Sequence, residues 1–589
     1  MTWREGGPAR ELTPAPFNVR SRVHEYGGGA YLPTPEQVLF VNFADQNIYR
    51  IDAAGAITAV TRSADTERFA DLAWDHARAR VLAVCERHRA DGEPVNSLVG
   101  IDLGGQVRAL HEGHDFYAAP RLSADGAQLA FIAWDHPNMP WDGTMLKVCA
   151  LDAQGTAQAA TLVAGGAGES VLQPLWGPAD TLLFASDAGG FWNLYRYDAD
   201  GLCCLHEDAA EYAQPPWTFA GAEFAALDAG HLVARRGPAQ RAELVLIDTT
   251  HGFAAPLDDA WADYQQLCVS HGADGASHVA FIGSAADQAP AIVRIAVDGS
   301  TTEVVRRAAM PELPPELISH AQPMRLRARD GGDLFAYYYP PRNPRVSAPA
   351  GGAPPLIVTT HGGPTAAAGR GLNLRVQYFT SRGFAVVDVD YRGSAGYGRV
   401  YRDVLKGRWG LLDVQDCEDV VSWLVRERLA DPERVAIRGG SAGGYTTLCA
   451  LTSSSVFRAG ASHYGIGDLR ALARDTHKFE SRYLDSLIGG EQALDERSPI
   501  HHVDRCRCPV IFFQGADDRV VPPAQSREMA EALRRKGLPV AYVEFAGEGH
   551  GFRQAAHIEQ ALASEYAFYC RVFDLHPEQP LHNVEIANL

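Results

Sequence analysis

No run of the 589-residue chain is apolar for long enough to cross a bilayer, and the N-terminal MTWREGGPAR lacks the apolar core of a secretion signal. These absences lead us to expect a cytoplasmic protein with no membrane partner. Basic residues are outnumbered: 53 Lys and Arg stand against 72 Asp and Glu, a net charge of −19 with no basic cluster to offset it, which argues against nucleic acid as a partner. Metal-type cysteine spacing is missing as well. Of ten cysteines, Cys203 and Cys204 are adjacent, Cys506 and Cys508 are too close for a zinc knuckle, and Cys149 and Cys449 sit in apolar runs as small hydrophobes. Helical periodicity is almost absent before residue 310. What is present is ordinary for a globular protein, 46% apolar and 21% charged, on a chain too long for one core, so at least two domains are expected.

The first half repeats itself. Apolar–Asp pairs followed by a turn end at Asp52, Asp102, Asp152, Asp198, Asp248 and Asp298, about 50 residues apart, and each is preceded by an apolar strand such as Val81 to Val84 or Leu129 to Ile132. Two such strands and two weaker ones make a four-stranded propeller blade. The aspartates are read as turn caps and given no chemistry. Extrapolated backwards, the repeat begins inside a blade, because Gly7 to Thr13 matches Gly55 to Thr61 in place and tone. A six- or seven-bladed β-propeller is therefore expected, residues 1 to about 20 either lying along an edge or forming part of a seventh blade. MPELPPELISHAQPM (residues 310–324) breaks the repeat, placing a boundary near 315 between a propeller, 1–315, and a second domain, 316–589. Beyond it strands alternate with helices, for example Asp416 to Glu427, which predicts a mostly parallel, doubly wound sheet.

Within that second domain, RVAIRGGSAGGYTTLCAL (Arg434 to Leu451) has the strand, glycine turn and helix of a nucleophile elbow, making Ser441 the candidate nucleophile. Downstream, Asp517 and Asp518 follow the strand Pro509 to Phe513, and His550 follows the strand Val540 to Phe545. Each lies just past a strand's C-terminal end, where ligands gather in open α/β sheets. Ser, Asp and His occur in the α/β-hydrolase order. A serine hydroxyl needs a base, which His550 supplies, and the imidazole needs a carboxylate to fix its tautomer. Asp517 fits that role and Asp518 is the alternative. Activity should rise with pH as His550 loses its proton. An acyl-transfer site also needs donors for a developing oxyanion, worth roughly 3–4 kcal/mol each. The backbone N–H of Ala442 is one, and the turns His361 to Pro364 and Asp390 to Gly398 complete the site.

The GGSAGGY elbow, HGGP turn, YRGSAGYG loop, GADDRVVP and GEGHGF ends, and a preceding propeller together resemble the prolyl oligopeptidase family of serine peptidases. SRVHEYGGGAY (Ser21 to Tyr31), WDHPNMPWDGT (Trp134 to Thr144) and DTHKFESRYLD (Asp475 to Asp485) look most like its acylaminoacyl- and dipeptidyl-peptidase branch. The resemblance implies an α/β-hydrolase domain, hydrolysis of short peptides and no metal or organic cofactor. By similarity, Tyr397 would donate its hydroxyl to the oxyanion, Asp517 rather than Asp518 would orient His550, and Arg519 would bind a substrate carbonyl. Val520, Tyr445 and Tyr464 would wall the pocket before the scissile bond. An exopeptidase would also need a carboxylate for the substrate amine, for which Glu169 and Asp142 are candidates. An esterase or amidase for small acyl compounds is the alternative reading, and a homo-oligomer stays open.

Overall fold

The computed structural model describes residues 10–63, 66–177, 180–237, 241–272, 275–346 and 351–589. Contacts divide these into two units, the first taking Met1–Ser284, Pro290–Ala308 and His477–Tyr483, and the second the remainder. One cut near 315 does not describe that division. His477–Tyr483 is encoded deep in the second half yet packs with the first, because its aromatic and charged side chains find partners there: Phe479 stacks on His24 at 4.9 Å and Glu480 accepts a hydrogen bond from Tyr26 Oη at 2.6 Å.

The first unit is a six-bladed propeller. Its six antiparallel four-stranded sheets span residues 31–59, 67–111, 116–165, 171–206, 224–258 and 263–307. The repeated aspartates do what their positions suggest. Asp102 Oδ1 accepts from the backbone N–H groups of Gly104 and Gln106, and Asp152 Oδ1 from those of Gln154 and Thr156, each closing the turn between the third and fourth strands. Asp52, Asp198, Asp248 and Asp298 cap the equivalent turns. Among the described residues there is no seventh blade. The Phe17 ring packs on Phe40 and Tyr49, and Asn18 and Arg20 bond the backbone of Phe43 and Val41, so this stretch lies against the first blade. Residues 1–9 of the segment expected to begin a blade lie outside the described residues.

A second regularity escaped the sequence. The first strands of four blades, Glu67–Asp75, Phe116–Leu122, Val171–Trp176 and Asp263–His271, each carry a register shift, at residues Asp71, Ala119, Gln173 and Gln266 with positive φ. A bulge re-aims a side chain out of its own ladder. Two of these residues thereby reach the next blade: Asp71 Oδ2 accepts from Ala119 N at 2.6 Å, and Gln173 bridges Glu223 N and Phe224 O; Gln266 Nε2 instead donates back to Ala220 O, just ahead of the fifth blade.

The second unit is built on an eight-stranded sheet in the chain order 1-2-4-3-5-6-7-8, parallel from its third position onward. Its strands Ala385–Asp390 and Val510–Gly515 are buried at every position, as expected of parallel strands covered on both faces. Ile357, Val386, Ala436, Ile511 and Phe513 pack against Val376 and Phe379 of the helix Leu374–Thr380 and Phe568 of the helix Ala555–Val572. The helix expected from Asp416 spans Leu412–Arg426. Among the described residues, no helix is long and apolar enough to cross a membrane.

Candidate active site

The strands Val435–Gly440, Ala459–His463, Val510–Gly515 and Val540–Phe545 are consecutive in the sheet and parallel, so their C-terminal ends share one rim. Ser441 sits between the first of these and the helix Ala442–Ser453 with φ +56° and ψ −121°, a conformation that costs about 1–3 kcal/mol for a residue with a side chain. The positions two residues to either side of it must be glycine. A Cβ at Gly439 would stand 2.3 Å from the Gly443 backbone, and one at Gly443 would stand 2.2 Å from Thr360 O. The turn therefore packs directly on the end of Leu356–Thr360, with its hydroxyl-bearing residue at the apex. Ser441 N donates to His463 O at 3.0 Å, which ties the elbow to the next strand.

Two strands further on, the carboxylate that meets the imidazole is Asp518. His550 Nδ1 lies 2.8 Å from Asp518 Oδ2. The reading that chose Asp517 is corrected. Asp517 is exposed, and its backbone N–H instead donates to Glu548 O at 2.9 Å, clamping the two loops together. Asp518 turns inward because its Oδ1 accepts from the N–H groups of Val520 and Val521, both at 2.9 Å, while Gln514 Nε2 donates to Oδ2 at 3.4 Å. An ionised carboxylate only accepts, so the His550 proton is held on Nδ1 and the Nε2 lone pair is left for a hydroxyl.

Among the described residues no hydrogen bond joins the Ser441 hydroxyl to His550; Tyr464 lies beside His550 and beside the glycine that precedes Ser441. Its ring meets the His550 imidazole edge-on at 4.8 Å, and a Cβ added at Gly440 would lie 3.0 Å from the same phenol. Tyr464 N donates to Phe513 O at 2.7 Å, fixing the ring at the rim. Catalytic hydrogen bonds are commonly long before substrate binds.

The oxyanion donors differ from expectation in part. The Ala442 N–H opens its helix and so has no intrahelical acceptor. Tyr397, expected as the second donor, is committed elsewhere. Its hydroxyl donates to Asp390 Oδ2 at 2.6 Å and its ring stacks on Phe335 at 4.2 Å. Burial, with Asp390 beside it, pushes the phenol far above its ordinary range, so it holds its proton on that carboxylate. The HGGP turn is better placed, since a Cβ at Gly362 would lie 3.7 Å from Ser441 Cβ.

Tyr445 is also corrected. It is fully buried, its hydroxyl donating to Arg497 O at 3.0 Å and its ring lying 4.3 Å from Trp409, so it packs the helix Ala442–Ser453 and walls no pocket. The Val520 side chain is buried behind Asp518, while Arg519 is exposed beside it. The two propeller acids are occupied with local structure: Asp142 Oδ2 accepts from Met139 N, and Glu169 Oε1 from the Ser186 hydroxyl. Among the described residues, no group of three or more His, Cys, Asp or Glu is disposed to hold a metal ion.

A buried charge network beneath the rim was not anticipated. Arg438, in the strand leading to the elbow, donates to Glu565 at 2.6 Å, and His463 Nε2 lies 3.1 Å from the same carboxylate. Burial pushes the Glu565 carboxyl up, and Arg438 and His463 more than reverse this, leaving it well below the usual carboxylate range. An arginine inside the apolar run VAIRGG was the available signal, because a buried charge requires a partner.

A propeller followed by an α/β-hydrolase sheet with this rim defines a class, and residues 370–576 match the Prolyl oligopeptidase family. The chain belongs to that family. It is 38% identical to a solved puromycin-hydrolyzing peptidase of Mycobacterium tuberculosis, with a TM-score of 0.94 over 99% of this chain and 92% of that one. A dipeptidyl aminopeptidase BIII of Pseudoxanthomonas mexicana is 32% identical over 42% of this chain and 37% of its own length. An acylamino-acid-releasing enzyme of Arabidopsis thaliana is 30% identical over 33% of this chain and 27% of its own. The match thus spans well under half the length of these curated relatives.

Proposed function

We propose that the protein is a serine peptidase that cleaves short peptides and aminoacyl amides by two-step acyl transfer. Ser441 attacks the carbonyl carbon while His550 Nε2 takes the hydroxyl proton; the C–N bond then breaks as His550 returns that proton to the leaving amine. Water repeats the sequence on the ester, releasing the acid and restoring Ser441. Asp518 holds the imidazole and stabilises its protonated form. The Ala442 N–H and the Gly362–Gly363 turn stabilise the oxyanion, at about 3–4 kcal/mol per donor. Tyr464 forms the wall beside His550, and Arg519 is the candidate contact for a substrate carbonyl.

The observation that carries this reading is the 2.8 Å contact between His550 Nδ1 and Asp518, which leaves the opposite nitrogen as a base at the rim that holds Ser441. The names of its relatives, a puromycin-hydrolyzing peptidase, a dipeptidyl aminopeptidase and an acylamino-acid-releasing enzyme, support peptides and aminoacyl amides over simple esters. The test compares aminoacyl-anilides, puromycin and plain alkyl esters, with free and acetylated N-termini. Anilide turnover and serine-directed phosphonate labelling are expected, both abolished by Ser441→Ala. A strong preference for the esters, or labelling that survives the substitution, would overturn the reading.

A further inference from the structure

Among the described residues, the Tyr464 hydroxyl has no hydrogen-bond partner. Two glycines mark where it sits. A Cβ at Gly440 would stand 3.0 Å from the hydroxyl oxygen, and one at Gly551 would stand 4.0 Å from it. Gly440 precedes Ser441 and Gly551 follows His550, so this oxygen lies between the backbones that carry the nucleophile and the base. The chain is strained to put it there, because Tyr464 has φ +40°, a left-handed conformation that is costly for a bulky side chain. Packing holds it in place: Tyr464 N donates to Phe513 O at 2.7 Å, and the ring meets His550 at 4.8 Å and Phe552 at 5.5 Å. Strain of this kind persists only where the surroundings over-determine it, and it collects at functional sites. Burial pushes the phenol above its ordinary range despite Arg375 and Arg438, so the hydroxyl stays neutral and its oxygen can accept a hydrogen bond.

The order of strands decides which reacting atom this oxygen faces. The strand Val435–Gly440, which ends at Ser441, lies between Leu356–Thr360 on one side and Ala459–His463 on the other. The Gly362 turn follows the first neighbour and serves the oxyanion. Tyr464 follows the second, and Asp518 and His550 follow the two strands beyond it. In a tetrahedral intermediate the oxyanion and the leaving nitrogen occupy different corners, and the nitrogen must face His550, which protonates it. The hydroxyl is therefore on the leaving group's side. We propose that Tyr464 Oη accepts a hydrogen bond from the N–H of the leaving amine and so turns the nitrogen lone pair toward His550 Nε2 as the C–N bond breaks. Tyr464 transfers no proton: the one lost from Ser441 reaches the nitrogen through His550. An ester gains nothing from this contact, since its leaving oxygen bears no hydrogen. The inference deepens the peptidase reading and rests on it.

The test compares the full chain with Tyr464→Phe on an aminoacyl-anilide and on the methyl ester of the same amino acid. Phenylalanine keeps the ring and removes an oxygen without a protein partner, so the variant should fold, as a thermal melt will check. The quantity read is the ratio of kcat/KM on the anilide to kcat/KM on the ester. That ratio should fall about tenfold in Tyr464→Phe, with the anilide's loss in kcat more than in KM, because the hydrogen bond strengthens as the nitrogen becomes pyramidal. A ring that only packs the site would, when disturbed, slow both substrates together. An unchanged ratio, whether neither substrate slows or both slow equally, would overturn the proposal. Failure of the underlying reading looks different: the unsubstituted chain would then hydrolyse the ester and leave the anilide intact, and the role given to Tyr464 would fall with it.

Discussion

Asp152, in the propeller, accepts hydrogen bonds from residues two and four positions ahead of it, whereas Glu565, in the second unit, is held by Arg438 from 127 positions away. The contrast separates the repeated turn aspartates from the buried acids of the second unit, while Asp71 shows that a propeller acid can also hold a distant partner. The six repeated propeller aspartates each serve a turn of their own blade. In the second unit Asp388, Asp390, Asp518 and Glu565 are buried, and partners such as His550 and Arg438 arrive on other strands, helices or loops. A local turn cap replaces water hydrogen bonds at little net gain, about 0.5–1.5 kcal/mol. A buried pair, once broken, leaves a charge that neither water nor protein satisfies, at about 3–5 kcal/mol.

The largest stability effect should therefore come from Glu565→Gln, which strips Arg438 of its counter-charge and should cost about 3–5 kcal/mol by urea unfolding. A loss no greater than that of a propeller turn cap would break the contrast. Next is a pH effect. Burial, and Asp390 nearby, push the Asp388 carboxyl up to about 7. A raised acid binds its proton more tightly folded than unfolded, so stability should fall as pH rises from the ordinary carboxylate range, near 3.8, towards 7. Asp388→Asn should flatten that decline in thermal melts; an unchanged slope would show that the group does not titrate as its surroundings dictate. The smallest effect is expected from Asp152→Ala, about 1 kcal/mol, read by urea unfolding followed through propeller tryptophan fluorescence.

The same contrast governs what could be read before the fold was known. The blade aspartates, the apolar second strands and the elbow are legible because each depends on neighbours within a few residues. Choosing Asp518 over Asp517 is not, since side-chain direction there depends on how the turn donates the Val520 and Val521 N–H groups. Tyr397 was misassigned because its partner, Asp390, belongs to a strand. Tyr445 was misassigned because its hydroxyl ends on Arg497 O, far along the chain. The glycine turns around Ser441 were legible because steric necessity leaves a mark in sequence. The docking of His477–Tyr483 in the first unit left none beyond an aromatic-rich stretch.

The most direct measurement is kcat/KM on an aminoacyl-anilide for Asp518→Asn beside Asp517→Asn. The account predicts a fall of about 10⁴-fold for the first, whose loss frees the imidazole to take the wrong tautomer, and a change within about threefold for the second. The reverse pattern, or equal losses at both positions, would contradict it.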